Sequence, residues 1–209
     1  MSGTALFLTV PREGPAKVKH LLLHACCAPC SPCVLRDLGR EYRVTVFFYN
    51  PNIQGRDEYE LRLEEIQRLC ADLELRLIEG PYDPERFFDR VGPLEHTGEG
   101  GERCEQCFQL RLEETFRIAD RIGADLVATT LSVSPHKNAG QINRAGSRAE
   151  ADGEGVVFLE ADFKKQDGYR KTCELAREYD FYRQDFCGCS FSRKEREGRE
   201  NAHRADPGR

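Results

Sequence analysis

Five short apolar runs, separated by stretches with helical periodicity, set the plan of this chain. Leu21 to Ala25, Val44 to Asn50, Leu75 to Glu79, Leu126 to Leu131 and Val156 to Ala161 read as strands bounded by polar or turn-forming residues. The clearest helix spans Asp57 to Leu73, where Leu61, Ile66, Leu69, Cys70 and Leu73 recur at three- and four-residue spacing. A second runs from Glu105 to Ile122, with Leu112, Thr115, Phe116 and Ala119 on one face. Shorter ones fit Pro29 to Arg40, Pro84 to Val91, Asn138 to Ala149 and Gly168 to Tyr179.

Such alternation predicts an α/β fold: an open, mainly parallel five-stranded sheet with helices on both faces, Rossmann-like in layout. Ligands of such sheets sit beyond the carboxyl ends of the strands, so a metal site is expected there. We expect one catalytic domain over 19–192, an N-terminal extension over 1–18 and a polar tail over 193–209. Residues Ser190 to Arg209 mix both charge signs, which predicts a disordered or loosely helical segment. The turn-rich Gly92 to Gly101 reads as a mobile loop.

Composition narrows the function. A hydrophobic fraction of 39% with 32% charged residues describes a soluble protein, and no run is long enough to span a bilayer. Met1 to Lys19 lacks a signal pattern, so a cytoplasmic location is expected. A net charge of −5 argues against broad nonspecific nucleic-acid binding. In a reducing compartment ten cysteines are metal ligands or redox thiols before they are a disulfide framework.

Their clustering is what matters. Cys26-Cys27-Ala28-Pro29-Cys30 follows the first strand, Cys104-Glu105-Gln106-Cys107 opens a helix, and Cys187-Gly188-Cys189 lies near the end. Adjacent Cys26 and Cys27 reach one site only if the chain turns there; otherwise one of them is simply buried. Cys104 and Cys107, three apart at a helix start, suit zinc, an iron–sulfur cluster or a redox dithiol. Cys187 and Cys189 are either a strained, easily reduced dithiol or metal ligands. Cys70 and Cys173 read as packing residues, and Cys33 as a half-buried helix residue.

Other strand-end residues offer polar contacts. Asn50 and Asn52 flank a turn and are substrate-contact candidates. Thr130, Ser134, His136 and Lys137 follow the fourth strand and suit an anionic ligand or a phosphate. Arg183 and Asp185 precede the CGC pair, with Asp185 a candidate proton donor or metal ligand. Tyr49, Tyr59 and Tyr169 are aromatic candidates for substrate contact.

Seven motifs in fixed order, CCAPC (26 to 30), FFYNPNI (47 to 53), EYELR (58 to 62), RCEQCFQLRL (103 to 112), TTLSVSPHK (129 to 137), DFKKQDGYRKT (162 to 172) and YRQDFCGCSFS (182 to 192), closely resemble the QueH family of epoxyqueuosine reductases. The chain departs from the family pattern at Phe108, Phe186, Phe191 and His136, where the family often has Tyr. The resemblance implies a cobalamin-independent oxidoreductase of tRNA queuosine biosynthesis that reduces epoxyqueuosine in the anticodon loop. It also implies a 4Fe-4S cluster on Cys26, Cys27, Cys104 and Cys107, an additional mononuclear iron for which Cys30 is the candidate ligand, and a redox-active Cys187–Cys189 pair. The partners would be tRNA carrying epoxyqueuosine and an external electron donor. Two rival readings are a zinc-bearing RNA-binding module with a structural four-thiolate site, and a cluster-containing tRNA sulfur transferase. The latter would need a Gly/Ser-rich phosphate loop where this chain has HACCAPC.

Overall fold

The computed structural model describes residues 18–151 and 155–205. Strands β1 (His20–His24), β2 (Arg43–Phe48), β3 (Arg76–Glu79), β4 (Leu126–Thr129) and β5 (Val157–Phe158) form one all-parallel sheet in the order β3-β2-β1-β4-β5. The helices are α1 (Pro32–Leu38), α2 (Arg56–Asp72), α3 (Pro84–Val91), α4 (Glu102–Ile122), α5 (Ala139–Ala151), α6 (Gly168–Glu178) and α7 (Ser190–Ala205).

β1 is buried along its whole length, which a parallel sheet covered on both faces requires. Its alternate residues feed two cores. Leu21 and Leu23 join Val46 and Phe48 under α1 and α2, with Leu35, Leu63, Ile66 and Leu69. Leu22 joins Phe47 and Val127 under α4 and α5, with Leu112, Phe116, Ile142 and Ala145. Each buried Leu contributes about 1.5–3 kcal/mol. Gly146 lets α5 lie on β5: a Cβ there would come 2.3 Å from the Phe158 ring.

Several expected boundaries shift for local reasons. The helix expected from Pro29 to Arg40 is a 3-10 turn, Ala28–Cys30, followed by α1, with the break at Ser31 before Pro32. The strand expected to reach Leu131 ends at Thr129, whose hydroxyl caps the Leu131 amide at 3.2 Å and starts a 3-10 turn, Thr130–Val133.

Two segments are more ordered than the sequence suggests. The expected tail continues the domain as α7, tied down by the Arg103–Glu195 pair at 2.7 Å and by Arg196 against Asp185. Residues 206–209, and 1–17 of the expected extension, lie outside the described part. The Gly92 to Gly101 segment is anchored: Arg103 donates to the carbonyls of Glu95 (3.1 Å) and Thr97, and Ser192 Oγ donates to Glu99 Oε1 at 3.2 Å. No helix among the described residues is long and apolar enough to cross a membrane.

β1 lies between β2 and β4, so the sheet changes direction of growth at the β1/β4 boundary. That crevice is where a ligand is expected. Cys26, two residues past β1, and Thr130, directly after β4, lie at it.

Candidate functional site

The end of β1 is held rigidly. His24 Nδ1 lies 2.8 Å from Thr129 Oγ1, and its Nε2 lies 3.1 Å from the Tyr49 carbonyl. Burial and nearby Arg111 push the imidazole down to about 3, so His24 is a neutral structural brace. Thr130 Oγ1 accepts from the Cys26 amide at 3.2 Å and donates to its sulfur at 3.5 Å.

The chain bends at Cys26, runs extended through Cys27 and curls back over Ala28–Cys30, with Ser31 Oγ holding the Cys27 carbonyl at 2.8 Å. The turn the sequence demanded is therefore present. It gathers the sulfurs of Cys26, Cys27 and Cys30 within 4.8 Å of one another, a group able to hold a metal ion. S–H donation from Cys27 and Cys30 holds Cys26 well below the usual thiol range, aided by Lys137. Its neighbours keep their protons: Cys27 is pushed up to about 12, first by its bond to Cys26.

The other thiols gather alongside. Cys104 and Cys107, on the first turns of α4, line a smaller cavity of about 30 Å³ with Cys187 and Cys189. Burial raises both α4 thiols, Cys107 to about 11. Cys187 Sγ lies 3.4 Å from Cys189 Sγ, so the pair is not bonded. The contact with the Cys189 sulfur, together with Lys137, lowers Cys187 to about 5 against the opposing effect of burial, while Cys189 is raised.

Long-range contacts set the CGC hairpin. Gly188 has φ +111°, and a Cβ there would lie 2.8 Å from Ile53 Cγ1. Asn52 Nδ2 and Arg62 donate to the Cys187 carbonyl at 3.1 and 3.3 Å, and Arg62 also donates to the Phe186 carbonyl at 3.3 Å. Arg62, 3% exposed, is itself paired with Glu58 at 2.5 Å. The Gln54 amide donates to the Gly188 carbonyl at 3.0 Å.

Lys137 and Cys187 line both this cavity and a larger one of about 300 Å³, whose walls include Cys26, Cys30, Ser134, Tyr169, Arg183 and Asp185. Burial alone would lower the Lys137 ammonium, but the Cys26, Cys187 and Cys30 sulfurs outweigh it and raise it. Lys164 Nζ braces this loop through the carbonyls of Ser132 (3.3 Å) and Lys137 (3.1 Å).

The donor set fits a soft, thiolate-bound metal group. Cys104 Sγ accepts from the Gly100 amide and Cys189 Sγ from the Ser192 amide, both at 3.3 Å, while Cys27 Sγ accepts from Gln184 Nε2 at 2.9 Å. In the smaller cavity Asn52 Oδ1 is buried without a protein partner. Amide donors aimed at sulfur are what anionic ligands need.

Some sequence candidates move away from the site. Tyr59 is a core residue, packed on Phe48 and Tyr82 with its hydroxyl donating to the Gly80 carbonyl at 3.3 Å, because it shares the buried α2 face with Leu63 and Ile66. Tyr49 is likewise buried, stacked on Phe47. Asn50 spends its amide on the Ala25 carbonyl (3.0 Å) and Arg111 (3.2 Å), bracing the strand ends. Asp185 reaches the larger cavity but its carboxylate is held by Arg196. Thr130 is fully buried and serves Cys26. Cys70 packs in the core as expected, whereas Cys173, read as a packing residue, lines the larger cavity, 3.6 Å from Arg183 NH2. Arg62, Arg111, Thr172 and Gln184 are structural or cavity residues that the sequence motifs do not point to. The Glu58/Arg62 spacing of one helical turn on the buried face was the available signal for the first.

A parallel α/β sheet with seven thiols at its switch point defines a thiol-rich redox or metal α/β protein. The family model "Epoxyqueuosine reductase QueH" matches residues 21–195. The chain belongs to this family of oxidoreductases. It is 39% identical over 180 residues to "Epoxyqueuosine reductase QueH" of Streptococcus pyogenes serotype M1, covering 83% of this chain and 70% of that one. It is 36% identical to the Thermotoga maritima protein of the same name, covering 84% and 91%. Among solved structures it resembles the "U34-tRNA thiolase NcsA from Methanococcus maripaludis with its [4Fe-4S] cluster" (TM-score 0.50, 13% identity, 91% of this chain and 67% of that one). At that identity the likeness shows a shared fold.

Proposed function

We propose that this chain reduces epoxyqueuosine in the anticodon loop of a tRNA to queuosine, without cobalamin. The observation that carries the reading is that Cys26, Cys30 and Cys187 line one cavity and Cys104, Cys107, Cys187 and Cys189 a second that shares Lys137 and Cys187 with it, in a member of this family. In this reading Cys26, Cys27, Cys104 and Cys107 hold a 4Fe-4S cluster, and Cys30 supplies a ligand to a neighbouring iron. When bound, these groups supply single-electron transfer and a Lewis acid for the epoxide oxygen.

The protein's own residues supply the balance of the reaction. Loss of the epoxide oxygen as water, leaving an alkene, needs two electrons and two protons. Oxidation of Cys187 and Cys189 to a disulfide releases both electrons. Cys189 carries one proton, and the Lys137 ammonium, beside the Cys187 sulfur, is placed to give the other. An external donor then restores the dithiol. Gly188, Asn52 and Arg62 hold the two sulfurs in register, while Arg183, Tyr169 and Ser134 border the space left for substrate.

Anaerobic purification with metal and sulfide analysis tests the cofactor: iron with acid-labile sulfide is expected, and zinc without sulfide contradicts it. Cys187→Ser in cluster-loaded protein is expected to lose multiple turnover; steady-state activity at the wild-type level defeats the dithiol role.

A further inference from the structure

Three arginines are buried to the same depth, each 3% exposed: Arg62, Arg103 and Arg111. Arg62 is paired with Glu58 at 2.5 Å and Arg103 with Glu195 at 2.7 Å. Arg111 meets no carboxylate among the described residues. Its Nε donates to the Cys107 carbonyl at 3.3 Å and its Nη1 to Asn50 Oδ1 at 3.2 Å, while Nη2 has no partner among the described residues and is not sealed off. A buried lysine can shed its charge, but a guanidinium cannot, so this charge has to be met by an anion.

The place of this unmatched cation decides which anion. Arg111 stands one and two helical turns after Cys107 and Cys104 on α4, on the face that carries both thiols, and it lines the larger and the smaller cavity alike. It is held there: the Phe108 ring lies 5.8 Å away, and Asn50 is itself tied to the Ala25 carbonyl at 3.0 Å. The carboxylates on the cavity walls are engaged elsewhere, Glu99 with Ser192 and Arg199, and Asp185 with Arg196. Both walls are otherwise rich in sulfur. Burial raises the Cys107 thiol, and Arg111 is the next largest influence on it, favouring the thiolate. A backbone phosphate of an RNA stays at a solvated surface, whereas this guanidinium is buried beside thiols.

We propose that Arg111 is the fixed counter-charge of the thiolate-bound metal group, raising both its affinity for the protein and its reduction potential. The inference rests on the cluster assignment within the reductase reading. Four thiolates outweigh the charge of a 4Fe-4S core, so the bound group is an anion, and one-electron reduction makes it more so. A permanent cation beside it therefore stabilises the reduced state more than the oxidised one. Arg111 acts on the reaction through the metal group, as a positioning residue.

The test compares cluster-reconstituted wild type, Arg111→Gln and Arg111→Lys by anaerobic spectroelectrochemical titration. Gln keeps an amide donor for the Cys107 carbonyl without the charge; Lys keeps the charge without the fork. Arg111→Gln is expected to shift the reduction equilibrium about tenfold toward the oxidised cluster, a fall of about 59 mV for one electron. It should also release iron to a chelator about tenfold more readily. Arg111→Lys should recover most of both. An unchanged potential in Arg111→Gln, or an equal fall in both variants, overturns the counter-charge. So does an Arg111→Gln that weakens tRNA binding at the wild-type potential, which would assign the guanidinium to an RNA phosphate. If only Arg111→Gln fails to load iron, the charge requirement stands; if both variants fail where wild type loads, the fork is what the site needs and the proposal falls. Wild-type protein that holds zinc without sulfide overturns the cluster assignment itself, whereas a wild-type cluster whose potential ignores residue 111 overturns the counter-charge alone.

Discussion

Cys26, Cys27 and Cys30 come from five consecutive residues at the end of one buried strand, whereas Cys104, Cys107, Cys187 and Cys189 come from two segments far apart in the chain. The first group is held by what surrounds any switch point: the strand ends, Thr130 and a 3-10 turn. The second exists only because Arg62, Asn52 and Gln54 grip the CGC hairpin and Arg103 ties α4 to α7. Local sequence can place a metal-binding thiol group, but a redox pair brought beside it depends on a distant buried clamp.

The clamp is the first place to break that contrast. Arg62→Ala leaves Glu58 and two carbonyls without their buried cation and should cost about 3–5 kcal/mol in chemical denaturation. Removal of the guanidinium is expected to free the CGC hairpin while Cys26, Cys27 and Cys30 still bind metal, checked by metal titration of the refolded protein.

Gly188→Ala acts on the hairpin alone. Its left-handed backbone and the 2.8 Å approach to Ile53 predict a loss of about 1–3 kcal/mol. Turnover should fall by more than the loss of folded protein explains, because the two sulfurs are displaced.

A titration separates the thiols by charge. In metal-free protein Cys187, lowered to about 5, is a thiolate above that pH and becomes protonated as the pH falls through it. Cys107, raised to about 11, stays protonated at neutrality. Iodoacetamide mass mapping at pH 7 should therefore label Cys187 well before Cys107, with labelling of Cys187 lost below about pH 5; equal rates at pH 7 would contradict the arrangement.

Tyr59→Phe sharpens the comparison from the core side. Loss of the bond to the Gly80 carbonyl should cost about 1 kcal/mol by thermal denaturation and leave tRNA binding as in wild type. Weakened tRNA binding without a stability change would return Tyr59 to the site.

Apolar periodicity made the sheet and the long helices legible: all five strands and helices over Pro84 to Val91 and Gly168 onward fall where the pattern puts them. It did not find strand ends set by a side-chain cap, as at Thr129, nor order imposed by tertiary ion pairs, as in α7. The thiols were legible as motifs. Which of them face one another was not, because Arg62 and Gln184 act through a carbonyl and a sulfur contributed by other segments. Two substrate-contact candidates serve the scaffold for a related reason: Tyr59 on α2 completes the core and Asn50 after β2 braces the strand ends.

The central claim is reductive removal of one oxygen at the paired cavities. Cluster-reconstituted protein incubated anaerobically with epoxyqueuosine-containing tRNA and a low-potential reductant, followed by nucleoside mass analysis, tests it directly. A product lighter by one oxygen, formed only with the reductant present, is the predicted result; unchanged epoxyqueuosine with an intact cluster would contradict it.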